Sequence, residues 1–320
     1  MSNTSLRVAS VQLAPVLLDR ERTLAKILDR LEEAAGAGAR LVAFPESILP
    51  GYPTWLAETG GARFDDPLQK AIHARYLDQA VELPGPELER LQQAARRLDV
   101  TCVVGVMERG LHHGRGTLWC TALTVQPDGS WCAHRKLVPT YEERLAWGQG
   151  DGHGLRVHGV AGWRMGALNC WENWMPAARL ALYGQGEEVH VSLWPGAPAL
   201  TADISRFTAR EGRVFVVASA GVVRAQDVPE DMPGRAELLA RTELLHAGGS
   251  RIVAPDGGEL ASLDAPEEGI LYADCERELL LAERQNFDPA GHYSRPDVLR
   301  LDVNRTRLEG VHFTEVSEQD

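Results

Sequence analysis

Positive charge is in short supply in this sequence: 33 Lys and Arg face 45 Asp and Glu, a formal net charge of −12 with the histidines neutral. Phosphate backbones are held by clustered Lys and Arg, so the deficit argues against a broad nucleic-acid footprint, and no nucleic-acid partner is expected. Long apolar runs are missing as well. Nowhere do about 18 consecutive apolar residues occur, as a spanning helix would need, so no membrane partner is expected. The opening MSNTSLRVASVQLAP has no apolar stretch behind a basic leader, which argues against a secretory signal. Cysteine is scarce and odd in number. Cys102, Cys120, Cys132, Cys170 and Cys275 are widely spaced, and suit free thiols in a reducing compartment better than a disulfide framework. Cytoplasm is the expected location.

Several catalytic signatures are also absent. Without CxxC or HExxH, and with the His112-His113 pair reading as a solvated loop, neither a metal site nor a cofactor is expected. No GxSxG occurs, which removes the usual serine hydrolase arrangement. The glycine-rich run Gly148-Gln149-Gly150-Asp151-Gly152-His153-Gly154 lacks the last glycine of GxGxxG and the Gly-Lys-Ser/Thr ending of a P-loop. It reads as a loop.

What is present is ordinary for a globular chain, with 44% hydrophobic and 24% charged residues. No Pro/Ser-rich linker divides it, so one domain over 1–320 is expected. Its body would span about 5–285, and an extension over about 286–320 would pack on the body or on a partner subunit. Leu6–Leu13 reads as a strand. Asp19–Ala35 carries Leu24, Ile27, Leu28 and Leu31 at helical spacing, and Arg40–Phe44 is a buried-type strand stopped by Pro45. A helix over Pro86–Leu98 and a strand over Thr101–Met107 come next. Thr117–Val125 and Ser130–Leu137 flank the turn Gln126-Pro127-Asp128-Gly129, and Ser250–Ala254 and Glu259–Leu263 flank Pro255-Asp256-Gly257-Gly258. Val189–Leu193 and Val214–Ala220 read as two more strands. The fold class is therefore α/β, with a mixed sheet or two sheets and helices outside, and the paired hairpins hint at an internal two-fold arrangement.

Three residues stand at predicted strand ends. Cys170 ends the strand read over Gly162–Cys170 and precedes a turn into the helix Ala177–Tyr183. There a side chain projects from the sheet edge and backbone N–H groups can meet anionic charge. A free cysteine is as readily a small buried hydrophobe, so this context alone does not decide its role. Glu46 comes after the apolar run Leu41-Val42-Ala43-Phe44-Pro45, where desolvation would raise its pKa toward that of a general base. A solvated loop carboxylate is the plain alternative. Lys136 closes the first hairpin just before Val138-Pro139-Thr140, and surface lysine is the usual fate of that residue.

Around these residues the sequence resembles the nitrilase superfamily, and within it the nitrilase branch. The motifs are Phe44-Pro45-Glu46-Ser47 running into Leu49-Pro50-Gly51-Tyr52-Pro53, and His134-Arg135-Lys136-Leu137-Val138-Pro139-Thr140 running through Glu143-Arg144 to Trp147-Gly148-Gln149-Gly150. They continue with Asn169-Cys170-Trp171-Glu172-Asn173-Trp174-Met175-Pro176 and, near the C-terminus, Gly291-His292-Tyr293-Ser294-Arg295-Pro296. The four run in order over almost the whole chain. Thr54 departs from the pattern, standing where an aromatic residue is usual.

The resemblance implies a four-layer α-β-β-α sandwich that pairs into homodimers and often into larger homo-oligomers. It implies Cys170 as nucleophile, Glu46 as general base, Lys136 as the group stabilising negative charge, and Glu143 as the second glutamate that positions substrate and lysine. Glu142 is a neighbouring competitor for that last role. The expected partner is a small-molecule nitrile, hydrolysed to carboxylic acid and ammonia through a thioimidate and a thioester on Cys170. An aliphatic amidase or carbamoyl hydrolase, or a nitrile-hydrating variant that releases amide, remain alternatives. Tyr52, Trp147, Trp171 and Trp194 are candidates for walling the substrate pocket, with core packing as the alternative for each. Aliphatic, aromatic and arylacetonitrile substrates all stay open.

Overall fold

A computed structural model describes residues 4–111, 114–240, 243–308 and Val311; the His112-His113 pair lies outside these. The first half runs β1 (Ser5–Gln12), α1 (Arg20–Gly36), β2 (Leu41–Ala43), α2 (Trp55–Glu58), α3 (Pro67–Gln79), β3 (Val81–Glu82), α4 (Pro86–Leu98), β4 (Thr101–Arg109), β5 (Leu118–Val125) and β6 (Trp131–Arg135). The second runs β7 (His158–Val160), β8 (Trp163–Asn169), α5 (Pro176–Tyr183), β9 (Val189–Trp194), α6 (Pro198–Gly212), β10 (Phe215–Ala220) and β11 (Val222–Arg224). It closes with α7 (Arg235–Leu238), β12 (Leu244–Ala247), β13 (Ser250–Val253), β14 (Glu259–Leu263), β15 (Gly269–Glu276) and α8 (Arg277–Glu283).

Two large sheets form, and they repeat one pattern. In the first, β1, β2 and β4 are parallel neighbours, and β5 and β6 continue it as an antiparallel hairpin. In the second, β8, β9 and β10 are parallel neighbours, and β13 and β14 continue it as an antiparallel hairpin. Each hairpin turns on Pro-Asp-Gly, so the internal two-fold hinted at by those turns is present in the strand order. Antiparallel strands close the other edges, β15 against β1 and β7 against β8.

Alternation along the strands sorts the side chains into layers. Leu6, Val8, Leu41, Ala43 and Val103 of the first sheet meet Met165, Val189, Val191, Phe215 and Val217 of the second in one apolar cluster between the sheets. The opposite face of the first sheet, with Val42, Phe44, Val104 and Val106, packs on Leu24, Ile27 and Leu31 of α1 and Leu88 and Leu91 of α4. On the far side, Val214, Val216 and Ala218 pack on Tyr183 of α5 and Ile204 and Ala209 of α6. The order of layers is α-β-β-α.

The C-terminal stretch returns to the body. Arg307 pairs with Asp151 at 3.2 Å and donates to the Ala133 carbonyl at 2.9 Å, and the Leu308 N–H donates to Asp151 at 3.0 Å.

Glu46 is positioned by one close approach of two backbones. The loop after β2 crosses β4 at Gly105, where an added Cβ would stand 2.2 Å from the Pro45 carbonyl oxygen and 2.6 Å from the Glu46 Cα. Only hydrogen fits there. Gly105→Ala is therefore expected to cost about 1–3 kcal/mol through overpacking, read as a lower urea midpoint. An unchanged midpoint would show that the loop yields freely at this point.

Candidate active site

Three chain turns at strand ends converge. Glu46 sits just past β2, Lys136 just past β6 and Cys170 just past β8. A residue in the left-handed region lies at or near each: Ser47 at φ 45°, Tyr141 at φ 41° and Cys170 itself at φ 46°. A non-glycine residue held there costs about 1–3 kcal/mol, and such strain gathers where a side chain must be aimed. At Cys170 the strain is held by Asn173, whose Nδ2 donates to the Cys170 carbonyl at 2.8 Å. The Asn173 Oδ1 in turn accepts from the Ser192 hydroxyl and faces His190 Nε2, both at 2.8 Å.

The Lys136 ammonium donates to Glu46 Oε1 at 3.0 Å and to Glu143 Oε2 at 2.7 Å, with all three side chains at most 1% exposed. Glu143 also accepts from the Tyr52 hydroxyl at 2.9 Å and from the Thr140 N–H at 2.6 Å. The Cys170 sulfur and a carboxylate oxygen from each of Glu46 and Glu143 lie within 4.8 Å of one another. One thiol and two carboxylates so close could ligate a metal ion. Here the cationic position between the carboxylates is filled by Lys136, which makes the set a proton-transfer constellation.

Burial sets the protonation of this group. It raises Glu46 to about 7, against the pull of Lys136 and with the help of Glu143. Burial would lower Lys136, but Cys170, Glu46 and Glu143 together hold it well above its ordinary value. Burial likewise pushes the Cys170 thiol well up, reinforced by Glu46 and opposed by Lys136 and by the neighbouring Trp171 N–H. The resting state is a neutral thiol beside a carboxylate poised near neutrality. That arrangement can move a proton from sulfur to oxygen as the sulfur attacks an electrophile.

Over Cys170 lies a cavity of about 360 Å³, lined in part by Tyr52, Trp171, Trp194, Leu200 and His246. Three of the four expected aromatic residues are thus in its wall. Trp147 is not. It is buried behind Tyr52, edge to face at 5.5 Å, with its ring 5.4 Å from the Lys136 ammonium and its Nε1 donating to the Tyr76 hydroxyl at 3.2 Å. Its place is in the packing cluster that backs the lysine. Thr54 is buried outside the wall. The glycine-rich loop also lies against the lysine strand, where a Cβ at Gly150 would meet the Lys136 carbonyl oxygen at 2.5 Å.

Some supporting residues carried no signal in the sequence beyond sitting inside the motifs. Glu172 is the clearest. Its buried carboxylate accepts from the Asn169 N–H at 2.9 Å and the Leu137 N–H at 2.6 Å, and meets His134 Nε2 at 3.1 Å. It therefore ties the residue before Cys170 to the residue after Lys136. The adjacent pair Glu142 and Glu143 also separates: Glu143 turns inward to Lys136, while Glu142 faces the cavity.

The family model for carbon-nitrogen hydrolases matches residues 7–285. The chain belongs to the carbon-nitrogen hydrolase family. An aliphatic nitrilase of Rhodococcus rhodochrous is 38% identical over 336 residues, covering 97% of this chain and 87% of that protein. A bifunctional nitrilase/nitrile hydratase of Nicotiana tabacum is 34% identical, covering 99% of this chain and 91% of that protein. Such relatives set this member in the nitrilase branch. A solved CN-hydrolase superfamily protein from Xanthomonas campestris superposes with a TM-score of 0.68 at 21% identity, covering 89% of this chain and 96% of that one, and shows the shared fold.

Glu172 supplies a test of the scaffold. Burial would raise its pKa, but His134 and the N–H groups of Leu137 and Asn169 hold it below the ordinary 4.5. A depressed carboxylate adds stability that is present above the unfolded-state value and is lost as pH falls through the folded-state value. Glu172→Gln turns an amide N–H toward a donor and should cost about 1–3 kcal/mol near neutral pH. The gap to the unsubstituted protein should shrink as acid protonates the carboxylate. Urea unfolding at a series of pH values measures it, and a gap that widens in acid would contradict the assignment.

Proposed function

We propose that this protein is a nitrilase that hydrolyses an organic nitrile to its carboxylic acid and ammonia, with Cys170 as nucleophile, Glu46 as general base and Lys136 as anion stabiliser. The observation that carries this reading is the convergence of those three groups and Glu143 beneath one cavity, with Lys136 2.7 and 3.0 Å from the two carboxylates. As the Cys170 sulfur adds to the nitrile carbon, Glu46 takes the thiol proton and delivers it to the nitrogen, leaving a covalent thioimidate. Glu46 then draws a proton from water as it adds to the same carbon. The tetrahedral species expels ammonia to give a thioester, and a second water frees the acid and the thiol. Lys136 and the Trp171 N–H hold the charge that develops, and one such donor is typically worth about 3 kcal/mol. Glu143, fixed by Tyr52 and Thr140, keeps the ammonium aimed.

The tetrahedral species can instead expel the thiol, which releases amide in place of ammonia. The tobacco relative named for both activities favours keeping this as a second product. An amide substrate would enter the same thioester by loss of ammonia, so an amidase or carbamoyl hydrolase is the remaining alternative.

The same reading takes the chain as one domain working as a homodimer or larger assembly in the cytoplasm. Leu180 of α5 and Phe207 of α6 are 39% and 52% exposed on helices joined by the Arg179–Glu211 ion pair, an apolar surface suited to a second copy. All five cysteines are free, as a reducing compartment allows. Among the described residues no helix is long and apolar enough to cross a membrane.

Ammonia release from a panel of aliphatic, aromatic and arylacetonitriles, each beside its matching amide, tests the activity. Nitriles should give acid and ammonia, whereas turnover of amides alone would move the protein to the amidase alternative. Cys170→Ala should abolish turnover and any covalent adduct seen by intact mass, and substantial activity in that variant would end the thiol mechanism. Because Glu46 must be ionised to accept the proton, kcat/KM should fall as pH drops below about 7. A profile flat through that range would remove Glu46 as the base.

A further inference from the structure

The cavity over Cys170 is lopsided in charge. Glu142 and Glu143 line it, and among the described residues no lysine or arginine does. The nearest ammonium, Lys136, is already shared between Glu46 and Glu143. His246, in the wall beside the Tyr52 ring, is kept neutral, because burial lowers it to about 4. The two acids in the wall differ. Glu143 is buried and engages both oxygens with Lys136, Tyr52 and the Thr140 N–H. Glu142 is only partly buried, and its side chain makes no hydrogen bond or ion pair among the described residues. It is a carboxylate facing the cavity with no counter-charge of its own.

A substrate whose nitrile carbon sits at the Cys170 sulfur must extend its remaining atoms along this wall. Those atoms meet the aromatic side chains of Tyr52, Trp171 and Trp194 and the carboxylate of Glu142. We propose, resting on the nitrilase reading, that Glu142 is a specificity residue that senses charge at the far end of the substrate. Nitriles carrying an ammonium group are favoured, and nitriles carrying a carboxylate are rejected.

Both halves come from the lining. An ammonium gains the Glu142 charge and the negative faces of the aromatic rings. A carboxylate meets repulsion from Glu142 and finds no cation to replace its hydration. The other polar side chains of the lining, Tyr52, Thr140, Trp171 and Trp194 among them, carry neutral groups. Neutral groups offer a desolvated carboxylate less compensation than a lysine or arginine would.

The test uses the full chain and three matched nitriles: pentanenitrile, its terminal-amino analogue and its terminal-carboxylate analogue, at low ionic strength and near neutral pH. The readout is the ratio of kcat/KM for the amine to kcat/KM for the acid, which cancels any shared loss from poor folding. The unsubstituted enzyme should prefer the amine. Glu142→Gln should lower the ratio about tenfold, roughly threefold from each substrate, as expected for one charge felt at moderate distance in a wet site. Glu142→Lys should invert the preference. Hydrolysis of pentanenitrile with a ratio that is the same in all three proteins would overturn the inference and leave the nitrilase reading standing. Ammonia from none of the three nitriles would remove that reading, and the inference with it.

Discussion

A single ammonium between two buried carboxylates governs the architecture of the site. Lys136 lies 3.0 Å from Glu46 and 2.7 Å from Glu143, with water almost excluded from all three. Two bare carboxylates at that depth would repel each other and drive up each other's pKa, and a bare ammonium would face a desolvation cost of several kcal/mol. Each member is tolerated because the others are present. The arrangement is all-or-none, so the chain must deliver loops from after β2, β6 and β8 to one point with little freedom.

The two-sheet sandwich makes that delivery by placing strand ends side by side. β2 and β9 belong to different sheets, and their C-terminal ends meet where the Glu46 N–H donates to the Trp194 carbonyl at 3.3 Å, beside the end of β8, the parallel neighbour of β9. Gly105 lets the Glu46 loop press against β4, and Gly150 lets the loop after the lysine press against β6. Glu172 then fixes the lysine turn to the cysteine turn through two backbone N–H groups. Local strain at Ser47, Tyr141 and Cys170 is sustained by these tertiary contacts, since no isolated turn would hold three non-glycine residues in the left-handed region.

Much of this was legible in the sequence where the signal is local. Helix α4 has the predicted bounds, because Pro86 opens it and apolar residues recur at helical spacing. Both Pro-Asp-Gly hairpins form as read, and the motif residues Glu46, Lys136, Glu143 and Cys170 come together. Helix α6 went unread for a physical reason. Its buried face is built from Thr201, Ser205, Thr208 and Gly212 beside Ile204 and Ala209, so hydrophobic periodicity fades although the spacing is helical. Helix α3 buries only Ile72 and Tyr76 and leaves as faint a trace. Strand β15 pairs with β1 across most of the chain, an association that no local pattern encodes. Trp147 shows the same limit within a motif. Spacing cannot tell a residue that lines a cavity from one that stands behind the lining, and only packing put Trp147 behind Tyr52.

The protonation pattern explains why a cysteine suits this place. A thiol in an electropositive, wet setting loses its proton readily and reacts with many electrophiles. Here burial and the neighbouring Glu46 carboxylate keep the Cys170 proton on sulfur, so the resting thiol is quiet. In the proposed reaction the proton leaves only as the sulfur bonds to carbon and Glu46 accepts it. The site then carries the same total charge before and after the step. Charge moves between groups already spaced by Lys136, and little reorganisation accompanies it, which is the condition under which a low-dielectric site lowers a barrier. A carboxylate raised toward neutrality is the matching base, since it can take the proton from sulfur and release it to nitrogen without becoming trapped in either form.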